Sequence, residues 1–145
     1  MSDRIVVRVT VPRRIEMVRP AAACLVEAAR ALQVPAAAGQ LFEVAIVEAL
    51  NNAISHNAGD DGGTIHGELE LSGRSLVVRV LDEAARAPYA LTCPVGPAPW
   101  PAPTPDAWET VRETGYGLYL MQAVFPDVRA VTRDGRHGIE MALTF

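Results

Sequence analysis

Residues 44–56 read VAIVEALNNAISH. The stretch predicts an apolar helix that carries a few polar side chains, and this helix is the starting point for interpreting the fold. Glu48, Asn52 and His56 recur at intervals of four residues, so on an α-helix they form one stripe. Small alanines beside the stripe leave room for a ligand, and polar groups buried there need hydrogen-bond partners. The stripe predicts either one wall of a ligand site or the solvent-facing side of an amphipathic helix, and spacing alone leaves both open.

The residue types in this stripe suit magnesium and proton chemistry. Asn52 can offer a carbonyl oxygen, and Mg²⁺ is a hard cation that prefers oxygen ligands and keeps several waters. Glu48 lies one helical turn earlier, where its carboxylate can take a proton from an attacking hydroxyl or water.

The flanking sequence predicts the helices and strands that surround this helix. Hydrophobic periodicity and turn residues separate the other elements. In chain order we predict a strand at 4–11, helices at about 15–32 and 37–56, strands at 64–71 and 75–82, a short helix at about 117–124, and strands at 127–133 and 138–145. This order implies an α+β fold: a two-layer α/β sandwich with helices on one face of a mixed, mostly antiparallel sheet.

Length and composition limit the class of protein. The 145 residues suit a single domain spanning 1–145, and a formal net charge of −4 argues against a partner that presents a nucleic-acid backbone. Cys24 and Cys93 match no metal-binding spacing. The N-terminus lacks the pattern of a signal peptide, and no apolar run reaches the ~18 residues of a membrane span. We therefore expect a cytoplasmic protein that binds neither nucleic acid nor a membrane.

Residues 83–114 differ in composition from the rest of the chain. Seven of the chain's 11 prolines fall there, a density that neither a helix nor a central strand accommodates. A loop of this length inside a compact domain is usually a lid, a binding loop or a disordered segment. We predict a Pro-rich lid loop.

Two further features flank this loop. Asp82 ends a strand, where a carboxylate can accept a hydrogen bond from an exocyclic amine such as that of adenine, or can simply initiate a turn. The segment Gly115-Tyr116-Gly117 precedes a helix, where glycines let the backbone approach a phosphate. An ordinary loop-to-helix turn explains the same glycines equally well.

Taken in order, the three features resemble the boxes of the GHKL ATPase superfamily. EALNNAISH at 48–56 resembles the first box, most similar to the E-A-x-x-N-A-x-x-H pattern of bacterial anti-sigma-factor serine/threonine kinases. VLDE at 80–83 resembles the start of the second box, D-x-G-x-G, and GYGLYLM at 115–121 resembles the third, G-x-G-L-x-L. The resemblance covers nearly the whole chain.

The resemblance implies a role for each matching residue. Asn52 would coordinate the Mg²⁺ that bridges the phosphates of ATP, and Glu48 would be the catalytic base for transfer to a serine of a partner. Asp82 would bind the adenine amine. The groups that would contact phosphate are Gly115, Gly117 and the N–H groups near Leu118. His56 matches the histidine of the first box, with its role left open.

The same resemblance implies partners. Proteins of this kind phosphorylate a small anti-sigma antagonist of the STAS type or bind a sigma factor, often as homodimers. Phosphoryl transfer depends mainly on positioning and charge neutralisation, which these residues could supply.

One departure leaves a second interpretation open. Ala84 and Arg86 stand where the second box should have glycines. Where a positive φ is wanted, an alanine costs about 1–2 kcal/mol. A non-catalytic regulatory module of the same fold, with a degenerate ATP site and acting by protein–protein binding, is therefore the alternative. A sensor histidine kinase would need a dimerisation helix with a phosphoacceptor histidine, and this sequence contains none. A plain structural domain would leave the residues that match the three boxes unexplained.

Overall fold

The computed structural model describes residues 3–55, 62–83 and 117–145. Outside those ranges lie the predictions for His56, Ala84, Arg86, Gly115 and all of the lid loop beyond Glu83.

The described strands form one five-stranded sheet. They are β1 (Arg4–Pro12), β2 (Thr64–Ser72), β3 (Ser75–Asp82), β4 (Asp127–Arg133) and β5 (Arg136–Thr144). Their order across the sheet is β1-β2-β3-β5-β4, and each of the four pairings is antiparallel. The predicted α+β fold is confirmed, and the mixed pairing that it allowed for does not occur among these strands.

The helices pack against one face of this sheet. They are α1 (Val18–Ala31), α2 (Gln40–Ser55) and α3 (Gly117–Gln122). Short 3₁₀ segments at Ile15–Met17 and Pro35–Ala38 precede α1 and α2, so both α-helices begin later than the periodicity predicts. Pro20 lies in the first turn of α1, where the missing N–H leaves no helical bond unmade.

The core fills the space between the helices and the sheet. Alternate residues of each strand point into it because side chains of a strand alternate between faces. Phe42 and Ile46 of α2 are fully buried, as are Val78 of β3 and Met141 of β5. The rings of Phe42 and Phe125 lie 5.5 Å apart and tilted by 39°, a favourable arrangement for an aromatic pair.

Tight hairpins fix the strand register. Asp134 and Gly135, with φ of 52° and 75°, form the two-residue turn between β4 and β5, and both types tolerate a positive φ. The predicted turn at Ser72-Gly73 lies one residue later, because Ser72 pairs with Ser75. Gly73 has a φ of 57°, which a β-branched residue would resist.

The face of the sheet away from the helices carries a row of alternating charges, here called the charge ladder. Its members lie directly opposite one another on all five strands: Arg8, Glu68, Arg79, Glu140 and Arg129. Arg8 Nε lies 2.8 Å from Glu68 Oε2, and Arg129 Nε lies 2.8 Å from Glu140 Oε1. Arg79 joins the two halves, because it donates to Glu68 at 2.8 Å and to Glu140 at 2.7 Å.

Hydrogen bonding along this face favours the ionised carboxylates. Hydrogen bonds from Arg4 and then from Arg79 lower the pKa of Glu70 to about 2. Burial works against ionisation of Glu140, yet the hydrogen bonds from Arg79 and Arg129 hold its pKa below the usual value. This face is therefore a neutralised polar surface, and the apolar packing lies on the other side.

Candidate functional site

The first wall of the candidate site is α2, which carries Glu48 into the protein rather than towards solvent. The Glu48 side chain is buried, with 4% of the residue exposed, between the core alanines of the same helix. The interpretation of the whole stripe as a solvent-facing surface therefore does not hold for Glu48. Asn52, one turn later, is half-buried.

The second wall is the start of α3, which packs against α2. A Cβ atom added to Gly117 would lie 2.8 Å from Glu48 Oε2, closer than real Cβ contacts come. The glycine thus lets the α3 backbone lie directly against the Glu48 carboxylate. The structure brings together two residues that are predicted separately from the sequence, one from the first box and one from the third.

Asp82 lies at the end of β3 on the face that the helices cover. It continues the inward alternation of Val78 and Val80, and its side chain is fully buried. A buried carboxylate needs a counter-charge, because taking a single ion out of water costs several kcal/mol. Arg13 supplies it: its Nε lies 3.3 Å from Asp82 Oδ2, and its side chain is only 3% exposed.

Arg13 belongs to the candidate site although the sequence did not predict it. It follows β1, and its Nη2 donates to the carbonyl oxygen of Ile54 at 2.7 Å while its backbone N–H donates to Gly63 at 3.2 Å. The sequence gives little sign of this contact. Arg13 directly follows a proline that ends a strand, and its partner lies 69 residues later in the chain. Arg13 therefore connects β1, the end of α2 and the end of β3.

His137 is a second residue that was missed. It lies just before the strand predicted at 138–145, but β5 begins at Arg136, so that His137 lies within β5 directly opposite Asp82. Its Nδ1 lies 2.8 Å from Thr132 Oγ1 of β4. The histidine is thus held on the same face of the sheet as Asp82 and one strand away from it.

The third box is described only from Gly117 onward. The side chain of Leu118 is part of the hydrophobic core. Any contact of Leu118 with phosphate must therefore come from its backbone N–H, as predicted, since first-turn N–H groups have no acceptor within a helix. The phosphate roles of Gly117 and Leu118 stay predictions.

These residues fit a magnesium–nucleotide complex. The carboxamide of Asn52 offers an oxygen atom of the kind that Mg²⁺ prefers, and the Glu48 carboxylate, one turn earlier on α2, can accept a proton. A residue larger than glycine does not fit at position 117, because its Cβ would lie too close to the Glu48 carboxylate. The helices α2 and α3 are therefore closely packed at this point. Among the described residues there is no group of three or more His, Cys, Asp or Glu side chains that could hold a metal ion by itself.

Comparison with known proteins agrees with this geometry. The sequence profile of the histidine kinase-like ATPase domain matches residues 11–144, which is nearly the whole chain. None of the proteins with curated functions matches the sequence significantly. In the described part of the chain, no helix has both the length and the apolar character needed to cross a bilayer. From the profile match and the antiparallel sheet with helices on one face, we conclude that the chain belongs to the histidine kinase-like ATPase family of the GHKL superfamily, whose domains support ATP-binding regulatory or kinase-like functions.

Proposed function

We propose that this protein is a serine/threonine protein kinase that uses ATP and Mg²⁺ to phosphorylate an anti-sigma antagonist of the STAS type. The observation that carries the proposal is the Glu48 carboxylate, buried on α2 and set against Gly117 of α3. Membership of the ATPase family and the similarity of residues 48–56 to the first box of anti-sigma-factor kinases support it.

Glu48 is the residue that moves a proton in this scheme. Its carboxylate takes the proton of the serine hydroxyl as the serine oxygen bonds to the γ-phosphorus, and the β–γ bridging oxygen leaves with ADP. Burial serves this role because a water-excluded carboxylate stays in a fixed position. Gly117 keeps the carboxylate within reach of the reacting atoms, because no side chain separates the helices there.

Asn52 would hold the metal ion, and Asp82 would select the base. When bound, Mg²⁺ neutralises charge on the phosphates. Asn52 offers its carboxamide oxygen from the half-buried surface of α2, and Asp82 offers a carboxylate oxygen to the exocyclic amine of adenine. Gly115, Gly117 and Leu118 would contact phosphate through the backbone.

The biological setting is part of the same proposal. The partner is a STAS-type antagonist, a sigma factor or both, in the cytoplasm, with the kinase acting as a homodimer and without direct contact to nucleic acid or membrane. The net charge of −4 supports the last point, since a phosphate-backbone binder needs a basic face.

The test combines nucleotide binding with phosphotransfer. Purified protein is titrated with a fluorescent ATP analogue and Mg²⁺, then incubated with [γ-³²P]ATP and each STAS-domain protein encoded in the same genome. We expect binding and an acid-stable phosphoserine on one substrate. Glu48→Gln should retain ATP binding and lose about 10²–10⁴-fold in rate, which is the usual contribution of a general base.

Glu43→Gln is the matched control, because Glu43 is an exposed glutamate of the same helix. It should leave both measurements unchanged. If millimolar ATP does not bind to the wild-type protein, the proposal is wrong. An acid-labile, base-stable product would identify a histidine kinase instead.

A non-catalytic regulatory module is the second candidate, favoured by Ala84 and Arg86 in the second box. It predicts that binding to a sigma factor or antagonist is the same with and without ATP, and the same for Glu48→Ala. A several-fold change of partner affinity on adding ATP would exclude this candidate.

A further inference from the structure

We propose that Arg13 is a positioning residue that sets the base selectivity of the nucleotide site by fixing the orientation of Asp82. The inference rests on the proposed function, because it assumes that Asp82 meets the base. It goes beyond that function by assigning selectivity to a residue outside all three boxes.

The side chains of Arg13 and Asp82 are in direct contact. Arg13 Nε lies 3.3 Å from Asp82 Oδ2, and both side chains are removed from solvent. The terminal torsion of an aspartate is broad, so the plane of its carboxylate is not fixed by its own rotamer. A guanidinium is planar and presents its donors in a rigid fork, and a donor of this kind can fix that plane.

Arg13 is itself held at two other points. Nη2 donates to the Ile54 carbonyl oxygen at 2.7 Å, and the backbone N–H donates to the Gly63 carbonyl oxygen at 3.2 Å. The first contact ties the guanidinium to the last turn of α2, and the second ties the Arg13 backbone to the residue before β2. The orientation of Asp82 is therefore set relative to α2, the helix that carries Glu48 and Asn52.

A carboxylate in a fixed orientation can distinguish between purine bases. A carboxylate accepts a hydrogen bond from the 6-amine of adenine, whereas the 6-carbonyl of hypoxanthine places an acceptor against an acceptor. Sites that fix a buried polar group discriminate strongly, because the wrong ligand leaves that group unpaired. If the carboxylate can turn, part of this discrimination is lost.

Among the described neighbours of Asp82, Arg13 combines a contact with the carboxylate and a planar fork of donors. On the sheet, Asp82 lies between Ile65 of β2, which has no polar side chain, and His137 of β5. His137 Nδ1 is already within 2.8 Å of Thr132 Oγ1 on the far side. Arg13 approaches from the end of β1 with a permanent positive charge.

The experiment measures the affinities of the full chain for Mg²⁺–ATP and Mg²⁺–ITP by isothermal titration calorimetry. We expect wild type to favour ATP by at least about tenfold. In Arg13→Gln, ATP affinity should fall about tenfold while ITP affinity changes less than threefold, so that the two nucleotides bind about equally. Arg13→Lys keeps the charge without the fork, and it should also lose most of the selectivity.

Arg14→Gln is the matched control, because Arg14 is the exposed neighbour, and its selectivity should equal that of wild type. In the Arg13→Gln background, Asp82→Asn should lower ATP affinity less than twofold further, since the two residues act as a unit. Circular dichroism identifies folded variants, and Arg13→Lys decides the matter if Arg13→Gln does not fold.

Two results would overturn the inference. If folded Arg13→Lys retains the wild-type ratio of ATP to ITP affinity, or loses both affinities equally, Arg13 does not set selectivity although the proposed function stands. If wild type binds neither nucleotide, the proposed function fails and this inference falls with it.

Discussion

Replacing Gly117 by alanine tests the contact between α2 and α3 with a single methyl group. The added Cβ would lie 2.8 Å from Glu48 Oε2, whereas carbon and oxygen atoms pack best at about 3.5 Å. The carboxylate must therefore retreat by about 0.7 Å. A misplacement of about 1 Å can lower a rate about 10²-fold, so we expect kcat for phosphotransfer to fall about 10- to 100-fold.

The stability of this variant should change little. Gly117 does not have a positive φ, so an alanine can adopt its backbone conformation. The atom that must move is the far end of a flexible glutamate side chain, so the cost should lie at the lower end of the about 1–3 kcal/mol of overpacking. We expect the free energy of unfolding to change by less than about 2 kcal/mol, so the rate can be measured on folded protein.

Two variants make the test specific. Gly39→Ala is the matched control, because a Cβ there would meet only the Ala36 carbonyl oxygen at an ordinary 3.6 Å, and its kcat should equal that of wild type. Glu48→Asp shortens the side chain by one methylene and withdraws the carboxylate from the added methyl. In that background, Gly117→Ala should lower kcat less than threefold further.

The assay is steady-state phosphotransfer with ATP affinity measured separately. If folded Gly117→Ala keeps kcat within twofold of wild type, the close approach of the two residues does not matter for catalysis. If ATP affinity falls while kcat is unchanged, the methyl group meets phosphate rather than the Glu48 carboxylate.

Two further variants test the sheet. A Cβ at Gly138 would lie 1.9 Å from the Val80 carbonyl oxygen, and this backbone atom cannot move away. Gly138→Ala should therefore lower the free energy of unfolding, measured in urea, by more than about 3 kcal/mol. A loss below about 1 kcal/mol would contradict this. Hydrogen bonds from Arg4 and then Arg79 lower the pKa of Glu70 from 4.5 to about 2. The stabilisation is therefore fully present above pH 4.5 and is lost as the pH falls towards 2. In urea titrations at each pH, Glu70→Gln should flatten this decline, and an unchanged pH dependence would show that Glu70 does not contribute.

The sequence predicts those parts of the fold that local patterns determine. Residues 139–145 alternate between apolar and polar side chains, and the alternation matches the core and outer faces of β5. Every predicted strand is present, and its ends match those of the structure or differ by at most two residues. These patterns are local because the side chains of a strand alternate whatever lies beside it.

The parts that could not be predicted depend on residues far apart in the chain. Arg13 and Asp82 are 69 positions apart, and nothing near either residue specifies their contact. Arg79 and Glu140, 61 positions apart, face each other only because β3 pairs with β5 rather than with β4. His137 was left outside the strand predicted at 138–145 because element boundaries are uncertain by one or two residues.

The choice between a kinase and a non-catalytic module depends more on Glu48 than on the second box. The carboxylate of Glu48 is buried on α2, and the absence of a side chain at Gly117 leaves room for it. In the proposed reaction this carboxylate is the proton acceptor that phosphotransfer needs. Ala84 and Arg86 replace the glycines of the second box, which bears on how tightly ATP binds rather than on whether a proton acceptor is in place. This is why we favour the kinase.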